Sequence, residues 1–561
     1  MLYTDILSGP ITGGESNKGI YLSVFGKNFD CTNGTMTVKV GSASTSTFKL
    51  CQMSKARQDI QQITIQLGNL TGASLVNGTS YPVTVNVGGQ DALNPYGLTF
   101  TPLAGNIYFV ATNGSDSNAG TYAAPFASIQ KSGGVSLTFQ ITTASTGGAY
   151  GVVRAGDFIV MRGGTYALTA NSFNGYFMQA LNKSGCPIGT NCAQGGGTTS
   201  GPITVMGYPG ETAHINASYT SGDNSGGAFS AADSAREGNG YGAYWTFTNL
   251  TVESGLYDGP FNTQRGDLNT ALGSHWRVVN NEMTAVTCQS ATACRAGGVA
   301  GDGNGNYWVG NYVHDIYDGN PASSALENHG FYIGNAGSYE IAFNRIVNIY
   351  GGNGIQTNNN GAAAITNVSI HHNIINGTGK HGLNIADATT GLLIYDNIIM
   401  NTDVCGLRLN SDTLSGGKIY NNTFYNTDRL NAYSAAHAAI QNDGTLSSNS
   451  LEFRNNIVVP GNSNRYYEGG NIDFNAVAST MSNNLWYNGG DTYMGSSNQT
   501  SNPSFVNTTS GSEDFHLQAG SAARNTGTAT NVSATVSNDY DVTTARPQES
   551  VYDIGAYEYK P

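Results

Sequence analysis

The sequence predicts an all-β chain whose larger part is a solenoid of stacked coils, preceded by a β-sandwich. Three observations carry this prediction. Asparagines recur at a near-constant spacing: Asn281, Asn311, Asn344, Asn373, Asn397, Asn422, Asn456 and Asn484 lie 30, 33, 29, 24, 25, 34 and 28 residues apart. A pattern with such a period marks units that bury their faces on their neighbours. The residues three before each Asn (Val278, Trp308, Ile341, Ile370, Ile394, Ile419, Phe453, Met481) and two after it (Met283, Val313, Ile346, Ile375, Ile399, Phe424, Val458, Trp486) are all apolar, in a chain only 39% hydrophobic. Finally, 75 glycines and 11% charged residues occur together with 20 Phe, 32 Tyr and 4 Trp, which with a clear period means turn-rich β-structure and not disorder. Asn tolerates left-handed backbone and its amides can bond along a stack, so each is expected to sit in a tight bend between two strands.

Taken in chain order, residues 1–103 alternate short apolar strands with Gly/Asn turns (YLSVFGKNF, MTVKVGS, ITIQLGN, YPVTVNVGG, YGLTFTPL), as a β-sandwich does. The Gly-Gly…Gly-x-x-hydrophobic…Gly-x-Asn-Phe run at its start resembles the IPT/TIG immunoglobulin-like domain, which implies a spacer or binding unit without chemistry. From Gly105, IYFVATNGSDSNAGTYAAPFASIQ reads as an entry strand and cap, needed because a terminal coil exposes strand edges. GDFIVMRGGTY and GPITVMGYPG read as first coils, residues 170–240 as Gly/Ser/Thr-rich loop insertions, and about 245–490 as regular coils. The asparagine pattern resembles the right-handed parallel β-helix of the pectate-lyase superfamily. That resemblance implies three strands per coil, the Asn bend lying between the second and third. It divides the chain into a sandwich (1–103), a right-handed parallel β-helix (104–505) and a C-terminal closure (506–561).

A net charge of −13 and a pI near 5.0 argue against nucleic acid or an anionic membrane as the main partner. No apolar run is long enough to span a bilayer. Of seven cysteines, Cys186/Cys192 and Cys288/Cys294 each close a short loop, Cys31/Cys51 can bridge two strands of the sandwich, and Cys405 remains. None has zinc-type spacing, and paired cysteines favour an oxidising compartment. The opening MLYTDILSGP lacks the segments of a signal peptide, so a mature chain with an added Met is expected, secreted or periplasmic and monomeric.

A second pattern precedes each ladder Asn: Gly330-Phe331-Tyr332-Ile333, Gly354-Ile355-Gln356-Thr357, Gly382-Leu383-Asn384-Ile385 and Gly406-Leu407-Arg408-Leu409, with looser forms at Gly298-Val299-Ala300 and Ala439-Ile440-Gln441. Strand alternation buries the second and fourth residues and turns the third outward. Parallel stacking then forms an outer column, Tyr332, Gln356, Asn384, Arg408 and Gln441, with neighbours about 4.8 Å apart. As read, no strand of this column carries Asp or Glu outward. The residues just before each glycine, Glu327-Asn328-His329, Asn353, Lys380-His381, Asp403-Val404-Cys405 and His437, are expected in loops that wall it. The family resemblance implies that the substrate groove lies on this sheet.

These residue types suit proton abstraction beside a sugar carboxylate, which needs a base and a cation for the developing enolate. Lys380, its pKa lowered beside His381, is the candidate base, and Arg408 is the candidate partner of the substrate carboxylate. His329 or Tyr332 would protonate the departing oxygen. Gln356, Asn384, Asn353, Glu327 and Gln441 would bind substrate, although Gln356 and Asn384 could equally be solvated or bonded to one another. Cys405 is expected to be a buried, inert thiol and His314, His371 and His372 to be structural. Three functions follow. The first is a lyase acting on an anionic, uronate-containing polysaccharide. The second is a glycoside hydrolase, needing two carboxylates roughly 5–9.5 Å apart, for which Glu327, Asp387, Asp403 and Asp302 are candidates. The third is a non-catalytic carbohydrate-binding or adhesive protein. The Asp-rich strand motifs of polygalacturonases and the Asp-Pro-His motif of epimerases are absent. Lyases of the resembling fold often use calcium; their acidic clusters are not matched here, which leaves Asp315, Asp318, Asp302 and Glu327 as the oxygen donors that could hold it.

Overall fold

A computed structural model describes residues 1–32, 35–129, 153–167, 178–179, 198–199, 201–217, 228–230, 243–254, 259–263, 274–285, 297–317, 328–334, 337–358, 365–386, 389–410, 414–430, 438–443, 451–461, 467–469, 478–487 and 495–561. The chain forms two units, Met1–Ser290 with Asp302–Tyr312, and Ala291–Gly301 with Val313–Pro561. Long sheets of parallel strands make it a right-handed parallel β-helix preceded by antiparallel strands, as the sequence predicts.

In the first unit, one antiparallel sheet orders its strands Tyr3–Thr4, Tyr21–Gly26, Gln61–Gln66 and Leu50–Met53. A second runs Thr99–Pro102, Tyr81–Val87, Thr37–Val40, Ala43–Thr45, with Ser8–Gly9 beside its first strand. Their alternating apolar residues, Leu22, Val24, Ile63, Ile65, Val38, Val40, Val83, Val85 and Phe100, form a core that also takes in Phe109, Phe158, Val160 and Met206 of the first parallel strands. The sandwich is therefore packed onto the coils of its own unit. Arg277 Nη2 donates to Thr4 O at 2.9 Å, and Lys55 Nζ to Thr251 Oγ1 at 3.0 Å. Cys31 and Cys51 form a disulfide; the pairs Cys186/Cys192 and Cys288/Cys294 lie outside the described residues.

In the second unit each complete coil has three strands. The first sheet stacks Gly297–Gly301, His329–Ile333, Asn353–Thr357, Leu383–Ala386, Leu407–Asn410, Ile440–Asn442 and Tyr467–Gly469. The second stacks Gly337–Ala342, Ile365–His371, Leu393–Tyr395, Gly417–Tyr420, Leu451–Arg454 and Ala478–Ser482. The third stacks Arg345–Ile349, Ile374–Thr378, Ile398–Thr402, Thr423–Thr427, Ile457–Pro460 and Leu485–Trp486. The apolar flanks of the asparagines lie in register inside. Ile341, Ile370, Ile394, Ile419, Phe453 and Met481 form one file, and Ile346, Ile375, Ile399, Phe424, Val458 and Trp486 another.

The asparagine ladder turns the chain between the second and third sheets, and its amides bond along the stack as expected, but the ladder Asn itself is not left-handed. The left-handed residue is the one before each ladder Asn: Asn280, Gly310, Phe343, His372, Asp396, Asn421, Asn455 and Asn483 have φ between 48° and 67°. The ladder Asn itself is chosen for its amide. Asn397 Oδ1 accepts the backbone N–H and Nδ2 of Asn373, both at 3.0 Å, while its Nδ2 donates to Ile370 O at 2.8 Å and Asn422 Oδ1 at 2.9 Å. The same exchange joins Asn281 to Asn311 within the first unit, and Asn344 to Asn484 through every rung of the second. One rung escapes the period: Asn498 Oδ1 accepts from Asn484 N at 2.9 Å, only 14 residues on.

Three of the left-handed residues, Asn421, Asn455 and Asn483, turn their side chains to the C-terminal segment. Asn421 donates to Asp553 O and Gly555 O, Asn455 to Thr528 O, and Asn483 to Thr526 O. Arg546, its side chain fully buried, pairs with Asp396 at 2.9 Å and Glu558 at 2.7 Å. Phe515, Leu517, Tyr540 and Ile554 pack on Ile398, Met400, Ile457 and Leu485 of the third sheet. The segment thus runs along the bends and third sheet, leaving the outer face of the first sheet to other residues.

Candidate active site on the first sheet

The glycines that open each first-sheet strand set the geometry of the site. A Cβ on Gly330 would collide with Gly354 O and meet Ile346 Cγ2 at 2.6 Å; on Gly382 it would collide with Ile399 Cγ2 and meet Gly406 O at 2.7 Å. Gly298, Gly330, Gly354 and Gly382 each lie against the carbonyl of the next glycine. No side chain fits at these positions, so the coils close tightly where the third strand hands over to the first.

This closure makes two columns. The outer one has the expected register: Ala300, Tyr332, Gln356, Asn384, Arg408 and Gln441 pair in succession. The backbone register continues to Glu468, which pairs with Gln441. Glu468 is not legible in the sequence because its strand, Tyr467–Gly469, lacks the opening Gly-hydrophobic signature. The second column holds the residue before each glycine: His329, Asn353, His381 and Cys405. The sequence places these in walling loops. His329 and Asn353 instead begin their strands, whereas His381 and Cys405 lie in the loops as expected; all four are buried, exposing 4, 3, 6 and 0%. The glycine has no side chain to keep the chain away from the coil, so the residue before it is drawn in as well.

The columns bind each other side by side. The rings of His329 and Tyr332 stack at 5.1 Å. Asn353 Nδ2 donates to Gln356 Oε1 at 2.5 Å, and Asn384 Nδ2 donates to the same oxygen at 3.1 Å. His381 N donates to Asn353 Oδ1 at 3.0 Å. Gln356 and Asn384 are thus rungs of an amide ladder and not solvated groups. The ladder is unsaturated at one end, where Asn384 Oδ1 is buried and accepts no hydrogen bond from the described residues.

Arg408 is the basic member of the column and only half-buried. Its Nε donates to Asp443 Oδ2 at 2.6 Å, and Asp443 Oδ1 accepts from Gln441 Nε2 at 2.6 Å. Gln441 Oε1 accepts from Cys405 Sγ at 2.8 Å. Burial pushes the Cys405 thiol up, away from the thiolate, so it serves as a hydrogen-bond donor and not a nucleophile. Asp443 was not among the sequence candidates, yet it lies two residues after Gln441, where strand alternation returns a side chain to the same face. With Nε occupied, the two Nη groups are the remaining edge of the guanidinium fork, the edge that suits a carboxylate.

Lys380 is half-buried in the loop before the Asn384 strand. It is held between coils by its N–H to Gly352 O at 2.9 Å and by Val404 N to its own carbonyl at 3.1 Å. These backbone bonds fix where the Lys380 side chain begins, one coil from Arg408. The carboxylates offered for hydrolysis do not assemble into a pair among the described residues. Asp403 is ion-paired with Arg429, its Oδ1 accepting Nε at 3.1 Å, and Asp302 belongs to the first unit. Glu327, Asp387 and His437 lie outside the described residues. Of the calcium candidates, Asp315 is bonded to His314 at 2.8 Å and to Asn348 at 2.9 Å, and Asp318 lies outside the described residues. Among the described residues no three His, Cys, Asp or Glu side chains gather in a metal-binding arrangement. His371 and His372 are buried in the second-sheet bend, where His371 Nε2 meets Glu340 at 2.6 Å.

No protein-family model matches the chain, and no curated protein matches it. Solved structures do. One is the pectate lyase Pel9A, at 16% identity and a TM-score of 0.45, covering 81% of this chain and 96% of that one. Another is a rhamnogalacturonan lyase, at 15% identity and a TM-score of 0.35, covering 72% and 90%. A third is a mannuronic-acid-specific family 6 polysaccharide lyase from human gut microbiota, at 12% identity and a TM-score of 0.33, covering 60% and 81%. They assign no residue of this chain a role.

Proposed function

We propose that the chain is a secreted polysaccharide lyase that cleaves an anionic, uronate-containing polymer by β-elimination. The observation that carries this is Arg408, in register between Asn384 and Gln441 with Nε bonded to Asp443; its Nη groups would take the uronate carboxylate. In the proposed step a uronate carboxylate pairs with Arg408. Lys380 removes the proton on the carbon beside that carboxylate, the electrons form a carbon–carbon double bond, and the bond to the departing sugar oxygen breaks. Tyr332 or His329 returns a proton to that oxygen, so no water is consumed. Gln356, Asn384, Asn353 and Gln441 bind hydroxyls or hold the groups that do. No step is routed through a metal. The Cys31–Cys51 disulfide supports an extracellular or periplasmic setting.

One observation favours a second reading. The mutual bonding of Asn353, Gln356 and Asn384 suits a rigid floor, as in a non-catalytic carbohydrate-binding or adhesive solenoid. Incubation with pectate, alginate, glucuronan and glycosaminoglycans, followed by ultraviolet absorbance, separates the two. A lyase produces a conjugated double bond and loses it in Lys380→Ala and Arg408→Ala. Full activity in both variants would remove these residues from the mechanism, new reducing ends without absorbance would mean hydrolysis, and retention of polymer without either would mean binding alone.

A further inference from the structure

The corner between the third and first sheets carries a feature the elimination chemistry does not use. Tyr317 and Tyr350 follow the neighbouring strands Tyr312–Ile316 and Arg345–Ile349 of the third sheet, with Tyr350 N donating to Ile316 O at 3.1 Å. Their rings meet edge to face at 5.7 Å. Tyr350 is 42% exposed and is the one aromatic among the exposed large hydrophobic residues described in the second unit. A lone exposed apolar residue needs no explanation, but this one has polar company. Asn348 Nδ2 donates to Asp315 Oδ1 at 2.9 Å, and both residues hold left-handed backbone, with φ of 57° and 51°. Hydrogen bonds from His314 and Asn348 outweigh the partial burial of Asp315 and hold its carboxyl below the usual range, so it remains an acceptor. Asn328 Nδ2 donates to Tyr350 O at 2.7 Å, which ties the corner to the residue beside His329. A ring face next to a carboxylate and an amide matches a pyranose, which has an apolar C–H face and an edge of hydroxyls.

We infer that Tyr350, buttressed by Tyr317 and flanked by Asn348 and Asp315, is a sugar-stacking subsite on the rim of the first-sheet groove, for a pyranose unit of the polysaccharide. The inference rests on the polysaccharide reading above but not on the elimination step. Affinity electrophoresis in gels containing pectate, alginate, glucuronan or a neutral galactan tests it. At least one polymer should retard the wild type. Tyr350→Ala should weaken that binding about fivefold to tenfold, Tyr350→Phe should stay within about twofold because the ring face is kept, and Val506→Ala, at another exposed position, should change nothing. In the wild type, nitration of Tyr350 should be suppressed by a saturating amount of the retarding polymer. Undiminished binding by a folded Tyr350→Ala, or nitration unaffected by polymer, overturns the subsite even if the protein cleaves its substrate. Loss of binding in Tyr350→Ala without unsaturated product supports the subsite and removes the lyase reading. No retardation of the wild type by any polymer overturns both.

Discussion

The two amide ladders of the second unit invite comparison. In the bend between the second and third sheets, every rung from Asn344 to Asn484 repeats one residue and one set of bonds. On the first sheet the corresponding column changes at every coil, from Tyr332 to Gln356, Asn384, Arg408 and Gln441, and among the described residues Asn384 Oδ1 has no donor. The first ladder completes itself, coil after coil. The second is complete only in part, which is the condition of a surface that meets another molecule. Stability and recognition are thus carried on different corners of the same coil.

The sharpest way to break that comparison is to remove one rung from each. Asn397→Ala deletes a buried amide with bonds to both neighbouring coils and strands their partners. It should destabilise the protein by on the order of 4 kcal/mol. Asn384→Ala deletes one bond to Gln356 and one orphan acceptor, and should cost about 1 kcal/mol. Urea unfolding of both variants measures the gap; equal losses would mean that the first-sheet column is as structural as the bend.

A smaller effect is expected from Gly382→Ala, because the added methyl group would strike Ile399 and the carbonyl of Gly406. Overpacking there should cost about 3 kcal/mol by thermal unfolding. It should also alter polymer binding, since Lys380 and His381 lead directly into this glycine. A neutral outcome would show that the coil can widen at this corner, and would remove close packing as the reason for the buried second column.

The bend side also carries the pH dependence. Burial first, with Arg546 opposing it, sets the Asp539 carboxyl at about 6, against about 3.9 in an unfolded chain. The folded value is the higher one, so the stabilising contribution is full below about pH 4 and is lost as pH rises through about 6. Relative to Asp539→Asn, the wild type should therefore lose on the order of 2 kcal/mol of unfolding free energy between pH 4 and pH 7. A constant difference across that range would show that Asp539 is not held protonated by the C-terminal segment.

Legibility in the sequence follows the same division. The bend ladder was readable because one side chain performs one task at a near-fixed interval, and its apolar flanks share the period. Its amide stacking was readable too; only the left-handed position was misplaced by one residue, since it accepts Gly, Asn, Asp, His and even Phe343 and so leaves no single-letter trace. Asn498 was missed because its rung closes a shortened coil. The outer column could be aligned through its glycines, whose steric demand is strict. Its contacts could not be read, because Asp443 reaches Arg408 across 35 residues and the amides of Asn353, Gln356 and Asn384 could equally face solvent or one another.

The smallest expected change in stability belongs to the Arg408–Asp443 pair, and it bears most directly on function. Both side chains are about a quarter exposed, at 26% and 21%, so the pair should contribute less than about 1 kcal/mol to folding. Its proposed work is orientation. Asp443→Asn removes a negative charge beside the site, which by charge alone should favour an anionic polymer and lower KM. It also weakens the bond that directs the guanidinium, which should lower kcat. Arg408→Ala removes the carboxylate partner itself and should raise KM as well as lower kcat. Steady-state kinetics on the polymer that gives unsaturated product separate these cases. A lowered kcat with unchanged or lowered KM in Asp443→Asn, and partial recovery in Asp443→Glu, identifies Asp443 as a positioning residue. If Asp443→Asn instead raises KM with kcat intact, Asp443 touches the substrate and Arg408 needs no guide.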